Sequence, residues 1–94
     1  PLAAQKLARL NKFDAIVTLG CVIRGGTPHF EYVCSETTRG VGEVALNENL
    51  PVAFGLLTTD DLKQAQDRSG DNEENKGEEA ALTVLELVSL YKQL

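Results

Sequence analysis

The sequence predicts an α/β fold in which helices cover a parallel β-sheet. Two runs, Asp14–Ile23 and Pro51–Leu57, are almost continuously apolar, which is typical of parallel strands covered by helices on both faces. The first run is followed by a segment whose apolar residues recur every three or four positions, and the second by Thr59 with Asp60 and Asp61, which is the pattern of a helix start. Two parallel strands joined through a helix form a right-handed βαβ unit, so the chain is expected to contain one such unit.

A long helix is predicted between the two strands. It should begin at Thr27 and Pro28, because threonine is a good N-cap and proline is tolerated in the first helical position. Its apolar stripe continues to about Asn47. Gly40 and Gly42 lie inside it, where each costs about 1 kcal/mol relative to alanine. Either another part of the protein approaches this helix closely at the glycines, or the helix is only weakened.

Three further helices complete the predicted fold. The first spans Leu2–Leu10, and the third begins with Thr59 as its N-cap and ends near Arg68. The last extends from about Lys76 to Gln93 and carries apolar residues around a wide arc. A wide apolar arc needs two neighbours, so we expect this helix to contact the sheet and a second partner such as another subunit.

The charge of the chain restricts its partners. The 94 residues carry a net charge of -5, and lysine and arginine do not cluster anywhere. An acidic chain of this kind is not suited to nucleic-acid phosphates or to an anionic membrane surface. No apolar run approaches the ~18 residues that a membrane span needs, and no charged leader precedes an apolar stretch. We therefore expect a cytoplasmic protein in which any functional basic residue acts singly.

Metal binding and disulfide bonding are not expected. Cys21 and Cys34 lack the short cysteine and histidine spacings of a zinc site, so both are interpreted as reduced, buried, small hydrophobic residues. The chain has a single histidine, and its carboxylates fall in solvated runs. These residues offer no set of metal ligands.

Two strands make a poor sheet, since independent stability usually needs about three or more strands with a covered face. Further strands are therefore expected from upstream sequence or from neighbouring subunits. The chain also begins at Pro1 inside an apparent helix and contains no methionine, so it is interpreted as part of a longer polypeptide.

A candidate anion site lies between the first strand and the long helix. Ligands of open parallel sheets bind beyond the carboxyl ends of the strands. Gly25 and Gly26 let the backbone approach a ligand there, and Thr27 adds a hydroxyl at a helix N-terminus. This combination suits a phosphate, although glycines after a strand are more often simple turn formers. Both interpretations stay open from these residues alone.

His29 lies in the first turn of the same helix and is the only histidine of the chain. The positive end of a helix disfavours an imidazolium, so we hypothesise a neutral imidazole that transfers protons near neutral pH. The alternative is a histidine that caps or packs, and the local pattern alone favours that alternative.

Arg68 and Lys76 are candidate ligands for a phosphate. A single arginine can hold a phosphate through two parallel hydrogen bonds, without any general basic patch. The ordinary alternative, which the sequence alone favours, is surface ion pairing with acidic neighbours. Those neighbours are Asp67, Asp71, Glu73 and Glu74. Phe54 lies in the middle of the second strand, where core packing is the ordinary explanation.

Three segments together resemble the lumazine synthase family. They are LGCVIRGGTPHFEY at positions 19–32, PVAFGLLTTD at positions 51–60 and NKGEEAA at positions 75–81. The resemblance follows the same order and spacing along essentially the whole chain, which is far more specific than any one motif.

The resemblance implies a flavodoxin-like three-layer sandwich with a parallel sheet, of which this chain supplies two strands and about four helices. Residues 1–94 would be the C-terminal portion of one lumazine synthase domain, without its N-terminal strands and first helix. The implied reaction condenses 5-amino-6-ribitylamino-pyrimidinedione with 3,4-dihydroxy-2-butanone 4-phosphate to form 6,7-dimethyl-8-ribityllumazine, a transferase step of riboflavin biosynthesis that needs no cofactor. Family members assemble as homo-oligomeric pentamers or 60-subunit shells, with active sites between adjacent subunits.

The resemblance also implies roles for individual residues. His29 would transfer protons. Residues that would contact the pyrimidine substrate are Cys21, Val22, Ile23, Phe54 and Lys76. Residues that would hold the phosphate-bearing substrate are Gly26, Thr27 and Arg68. Some of these groups would come from the neighbouring subunit.

One segment departs from the family pattern, namely the acidic stretch Asp71–Glu74. Its charge would either weaken binding of a phosphate or face solvent.

Two other functions stay open beside the enzyme. The chain could be a catalytically inactive shell or scaffold protein, or a module that binds lumazine or flavin without turnover.

Overall fold

The order of helices and strands agrees with the sequence-based prediction. A computed structural model describes residues 1–94 and contains a two-stranded parallel sheet with four helices. The six elements are α1 (Leu2–Ala8), β1 (Ile16–Ile23), α2 (His29–Glu48), β2 (Val52–Thr59), α3 (Leu62–Ser69) and α4 (Lys76–Gln93). The predicted α/β class is confirmed, and α4 has the bounds that the sequence predicts.

The two strands pair in parallel over their full length. Ile16 lies opposite Val52 at one end of the sheet, and Ile23 lies opposite Thr59 at the other. The backbone N–H of Arg24 donates to the carbonyl of Thr59 at 2.8 Å, so the pairing extends one residue beyond the strands. The β1–α2 and β2–α3 loops therefore leave the same edge of the sheet side by side.

A small hydrophobic core lies on each face of the sheet. On one face, α1 and α2 pack through the buried residues Ala4, Ile16 and Val44. On the other face, α4 packs on β2 through Ala53, Ala80 and Val84. Helices therefore cover both faces, which gives the three-layer arrangement.

The start of α2 differs from the prediction. The N-cap position is taken by Pro28, whose side chain has no acceptor, and no side chain caps the helix. Thr27 lies one residue too early to reach the first-turn N–H groups, so its predicted role as N-cap is wrong. The first-turn N–H groups of α2 consequently have no side-chain partner within the chain.

The start of α3 also differs from the prediction. Asp61 is the N-cap, and its carboxylate accepts a hydrogen bond from the N–H of Gln64 at 2.8 Å. Thr59, the predicted cap, is still paired with Ile23 in the sheet, and its hydroxyl donates to the carbonyl of Asp61 at 2.9 Å. Because β2 extends through Thr59, the helix begins later than its sequence pattern suggests.

The two glycines of α2 have different explanations. A Cβ on Gly40 would lie 2.6 Å from Cγ of Pro1, so a glycine is needed where the two parts of the chain approach closely. A Cβ on Gly42 would meet no atom within 4 Å. Close approach therefore accounts for Gly40, whereas Gly42 only weakens the helix.

Strand β1 is more exposed than predicted. Leu19 is 68% exposed, and Val17 and Ile23 are also exposed, although the apolar run predicted cover on both faces. One side of β1 has no neighbouring strand, and the helices of the chain contact β2 more than β1. Cys21 on this strand is exposed and Cys34 on α2 is half-buried, so the prediction that both are buried is wrong.

The surface of the chain is large and apolar for its size. A compact monomer of 10.2 kDa exposes about 5300 Å² by the usual scaling, whereas this chain exposes 6626 Å². Exposed leucines continue onto the outer face of α4 at Leu82 and Leu85. Apolar area of this extent marks surface that further protein can cover. None of the four helices combines the length and apolar character needed to cross a membrane.

Two glycine substitutions test the packing of the sheet. A Cβ on Gly55 would lie 2.7 Å from the backbone oxygen of Thr18 and 3.2 Å from Cβ of Ala80. We expect Gly55→Ala to lower the free energy of unfolding by about 1–3 kcal/mol, the usual cost of overpacking. Gly42→Ala, the matched control in open space, is expected to raise it by about 0.5–1 kcal/mol.

Urea unfolding of both variants at one fixed protein concentration provides the measurement. Equal midpoints for the two variants would contradict the described packing of β2 against β1 and α4.

Candidate active site

The β1–α2 loop is open at the carboxyl edge of the sheet. A Cβ on Gly25 or Gly26 would meet no atom within 4 Å, and neither glycine has a positive φ. The glycines therefore leave space beside the backbone and are not required by the conformation of the turn. Thr27 and His29 follow and are exposed, with no hydrogen bond from either side chain. This loop can receive a ligand at the uncapped start of α2.

The last residues of β1 lead into this loop. Cys21 and Ile23 are exposed, and Val22 is half-buried. Successive side chains of a strand alternate between faces, so Val22 lies on the opposite face from its two neighbours. A ligand at this edge can contact the backbone and apolar side chains of the strand end.

A cavity of about 320 Å³ lies along β2 and brings three predicted site residues together. Its lining includes Phe54, Arg68 and Lys76. Phe54 is 41% exposed and borders this cavity, so the ordinary explanation of core packing does not apply to it. The volume falls within the usual range for sites that bind small molecules.

Arg68 is the only arginine of the chain without a carboxylate partner. The other three arginines all form salt bridges. Nη1 of Arg68 donates to the carbonyl of Gln64 at 3.3 Å, and Asp67, an expected partner, pairs instead with Lys63 at 3.0 Å. Surface ion pairing, the alternative that the sequence favours, is therefore wrong for Arg68. The guanidinium keeps free donors at the cavity wall and can bind an anion.

Lys76 has a carboxylate partner, but not one of those that the sequence suggests. Its ammonium lies 3.0 Å from Oε2 of Glu79, one turn further along α4, and both residues line the cavity. The acidic stretch Asp71–Glu74 is exposed and forms no ion pair with Arg68 or Lys76. The negative charge of that stretch therefore faces solvent in the isolated chain.

The predicted site residues form two separate groups. Gly26, Thr27 and His29 lie at the start of α2, whereas Arg68 and Lys76 lie at the cavity along β2. No residue of the first group lines the cavity that contains the second group.

The sequence model of the 6,7-dimethyl-8-ribityllumazine synthase family matches residues 1–92. The chain belongs to the lumazine synthase family. Lumazine synthases are transferases of riboflavin biosynthesis, and membership of the family implies substrate binding and oligomeric assembly. The match includes both groups of site residues, so neither lies in a segment foreign to a lumazine synthase.

Arg24 lies at the carboxyl edge of the sheet in this lumazine synthase, and its pattern in the sequence did not indicate a role for its side chain. Arg24 donates from Nε to Asp60 at 2.8 Å and from Nη1 to Glu31 at 3.2 Å, and its guanidinium lies 4.4 Å from the ring centroid of Phe30. Donation of these hydrogen bonds to the carboxylates, to Asp60 first and then to Glu31, raises the pKa of Arg24 above its ordinary value. Arg24 and Asp60 each follow a strand end by one residue, so the strand register could have indicated this contact.

Substitution of Arg68 tests whether the cavity binds an anion. We expect Arg68→Gln to weaken binding of inorganic phosphate by roughly ten- to a hundredfold, because hydrogen bonds between charged groups contribute about 1.5–3 kcal/mol. The matched control is Arg39→Gln, since Arg39 already pairs with Glu36 and Glu43 on the exposed face of α2.

Isothermal titration calorimetry of the assembled protein gives both affinities. An equal loss of phosphate affinity in the two variants would contradict the assignment of Arg68 as the residue that binds the anion.

Proposed function

We propose that this lumazine synthase chain condenses 5-amino-6-ribitylamino-pyrimidinedione with 3,4-dihydroxy-2-butanone 4-phosphate. The product is 6,7-dimethyl-8-ribityllumazine, and inorganic phosphate is released. The observation that carries the proposal is the unpaired guanidinium of Arg68 in a cavity shared with Phe54 and Lys76. An arginine that is free of carboxylates, in a chain of this family, is suited to hold the phosphate of the second substrate.

Two features support binding of the phosphate-bearing substrate. Arg68 supplies a planar pair of donors that fits phosphate oxygens. Gly26 and Thr27 precede a helix start whose first-turn N–H groups have no side-chain cap, and the hydroxyl of Thr27 forms no hydrogen bond. The positive N-terminal end of α2 also favours an anion beside Gly26 and Thr27.

Other residues suit the pyrimidine substrate. The exposed ring of Phe54 offers an aromatic face in the cavity, and the ammonium of Lys76 can donate to a carbonyl oxygen of the heterocycle. Cys21 and Ile23 offer exposed apolar side chains on one face of the strand end, and Val22 between them offers its backbone to the same planar ring. This polar and apolar combination is typical of small-molecule sites.

His29 is proposed as the group that moves protons. An amine that adds to a ketone must lose a proton, and the hydroxyl of the adduct must gain one before water leaves and the imine forms. The exposed imidazole beside the glycine turn is free of protein hydrogen bonds and can serve both needs. The protein otherwise holds two substrates in reacting geometry, which can lower a barrier by about 7–11 kcal/mol.

We further propose that the two groups of residues meet between adjacent subunits. The group at the start of α2 does not line the cavity of Arg68 in one chain, and the exposed apolar surface leaves area for a neighbour. A neighbouring copy that covers this area would complete one site from two chains. An assembly of identical subunits would then contain one site for each interface.

The direct test mixes the two substrates with the assembled protein and follows product absorbance together with released phosphate. We expect turnover by the native protein and about a hundredfold lower rate for His29→Ala, the usual loss for a missing proton-transfer group. The pH–rate profile of the variant should lose the limb that this group contributes. Ser35→Ala, an exposed substitution on the same helix, is expected to leave the rate and the profile unchanged.

Three results would contradict the proposal. An unchanged profile shape in His29→Ala would remove this residue from proton transfer. Tight lumazine binding without turnover would indicate a binding module. An intact assembly that neither binds the substrates nor converts them would indicate a shell protein.

A further inference from the structure

We propose that Arg24 is a positioning residue that fixes the His29-bearing first turn of α2 against the loop after β2. This inference rests on the proposed function, because it assigns Arg24 to the placement of the proton-transfer group. Arg24 does not line the Arg68 cavity and is not itself proposed to touch substrate.

The contacts of Arg24 join two different elements. Its Nε hydrogen bond reaches Asp60 in the loop after β2, and its Nη1 hydrogen bond reaches Glu31 in the first turn of α2. The guanidinium also lies over the ring of Phe30, the residue directly after His29. The side chain of Arg24 therefore contacts Phe30 and Glu31, the two residues after His29, and also Asp60 in the loop before α3.

Few other contacts hold the β1–α2 loop. Gly25 and Gly26 have open space around them, and the side chains of Thr27 and His29 form no hydrogen bond. Backbone hydrogen bonds flank the loop, from Arg24 to Thr59 at 2.8 Å and from Glu31 to Pro28 at 2.9 Å. The hydrogen bonds and ring contact of Arg24 are therefore the side-chain contacts that join the first turn of α2 to the loop after β2.

The planar fork of an arginine is needed for this arrangement. A guanidinium can donate in two directions in its plane while its face covers an aromatic ring, whereas an ammonium cannot. Arg24 also compensates the carboxylates of Asp60 and Glu31 at an edge that is proposed to receive a phosphate. Lysine retains the compensating charge without the fork, so Arg24→Lys separates geometry from charge.

Exposed ion pairs contribute little to global stability. The side chain of Arg24 is 43% exposed, so its substitution should act on the site without unfolding the chain. Arg39 provides a matched control, because it is also exposed and also bridges two carboxylates, but within α2 alone.

The experiment compares Arg24→Gln, Arg24→Lys and Arg39→Gln in the assembled protein. We expect Arg24→Gln to lower kcat by about tenfold and to raise the KM of the phosphate-bearing substrate by a similar factor, within the loss that misplaced reacting groups cause. Arg24→Lys should recover only part of this loss. Arg39→Gln should leave both constants and the urea midpoint near those of the native protein.

A second measurement does not require turnover. Hydrogen exchange followed by mass spectrometry reports the amides of Glu31 and Asp60, which bond to Pro28 and to the Gln64 side chain. Faster exchange in peptides that contain these amides is expected for Arg24→Gln and not for Arg39→Gln. Asp60→Asn should add little to the effect of Arg24→Gln, because both substitutions break the same contact.

The outcomes separate the two proposals. Absence of turnover in the native protein would contradict the proposed function, while the exchange data would still support or overturn the anchoring by Arg24. Unchanged exchange in Arg24→Gln overturns the positioning role. Full recovery of kcat and KM by Arg24→Lys also overturns it, because charge alone would then be sufficient.

Discussion

The parallel pairing of β1 with β2 is the constraint on which the rest of the molecule depends. Because Ile23 lies opposite Thr59, the loops after both strands leave one edge together. The same register brings Arg24 beside Asp60 and places the start of α2 next to the start of α3. A shift of the register by one residue would turn every strand side chain to the other face and separate these contacts.

Much of the fold could be predicted from local pattern, because strands and helices differ in the period of their apolar residues. The errors arose where distant parts of the chain decide the outcome. The pattern of Thr59 is that of a helix cap, but sheet pairing extends β2 through it. Cys21 lies in an apolar run that predicts burial, but its side chain is exposed on β1. The freedom of Arg68 depends on the fold in the same way, because Lys63 takes the neighbouring carboxylate of Asp67.

On the proposed function, assembly of subunits accounts for two features of the single chain, namely that His29 does not line the Arg68 cavity and that the surface is large for the size of the chain. The cavity is lined by two cationic side chains, Arg68 and Lys76, and by the ring of Phe54, but not by the imidazole of His29. The exposed apolar residues of β1 and α4 lie where a neighbour can bury them. On the proposed function, assembly and catalysis therefore depend on the same surfaces, since burial of apolar area brings the second group of residues to the first.

A mixed assembly tests this shared site most directly. Chains with His29→Ala and chains with Arg68→Gln are co-expressed in equal amounts, and the activity of the purified assembly is compared with that of each variant alone. If each site takes one group from each of two subunits, about a quarter of the interfaces in a random mixture contain both intact groups. The mixture should then recover about a quarter of the native activity. Activity no higher than the mean of the two separate variants would contradict a site completed between subunits.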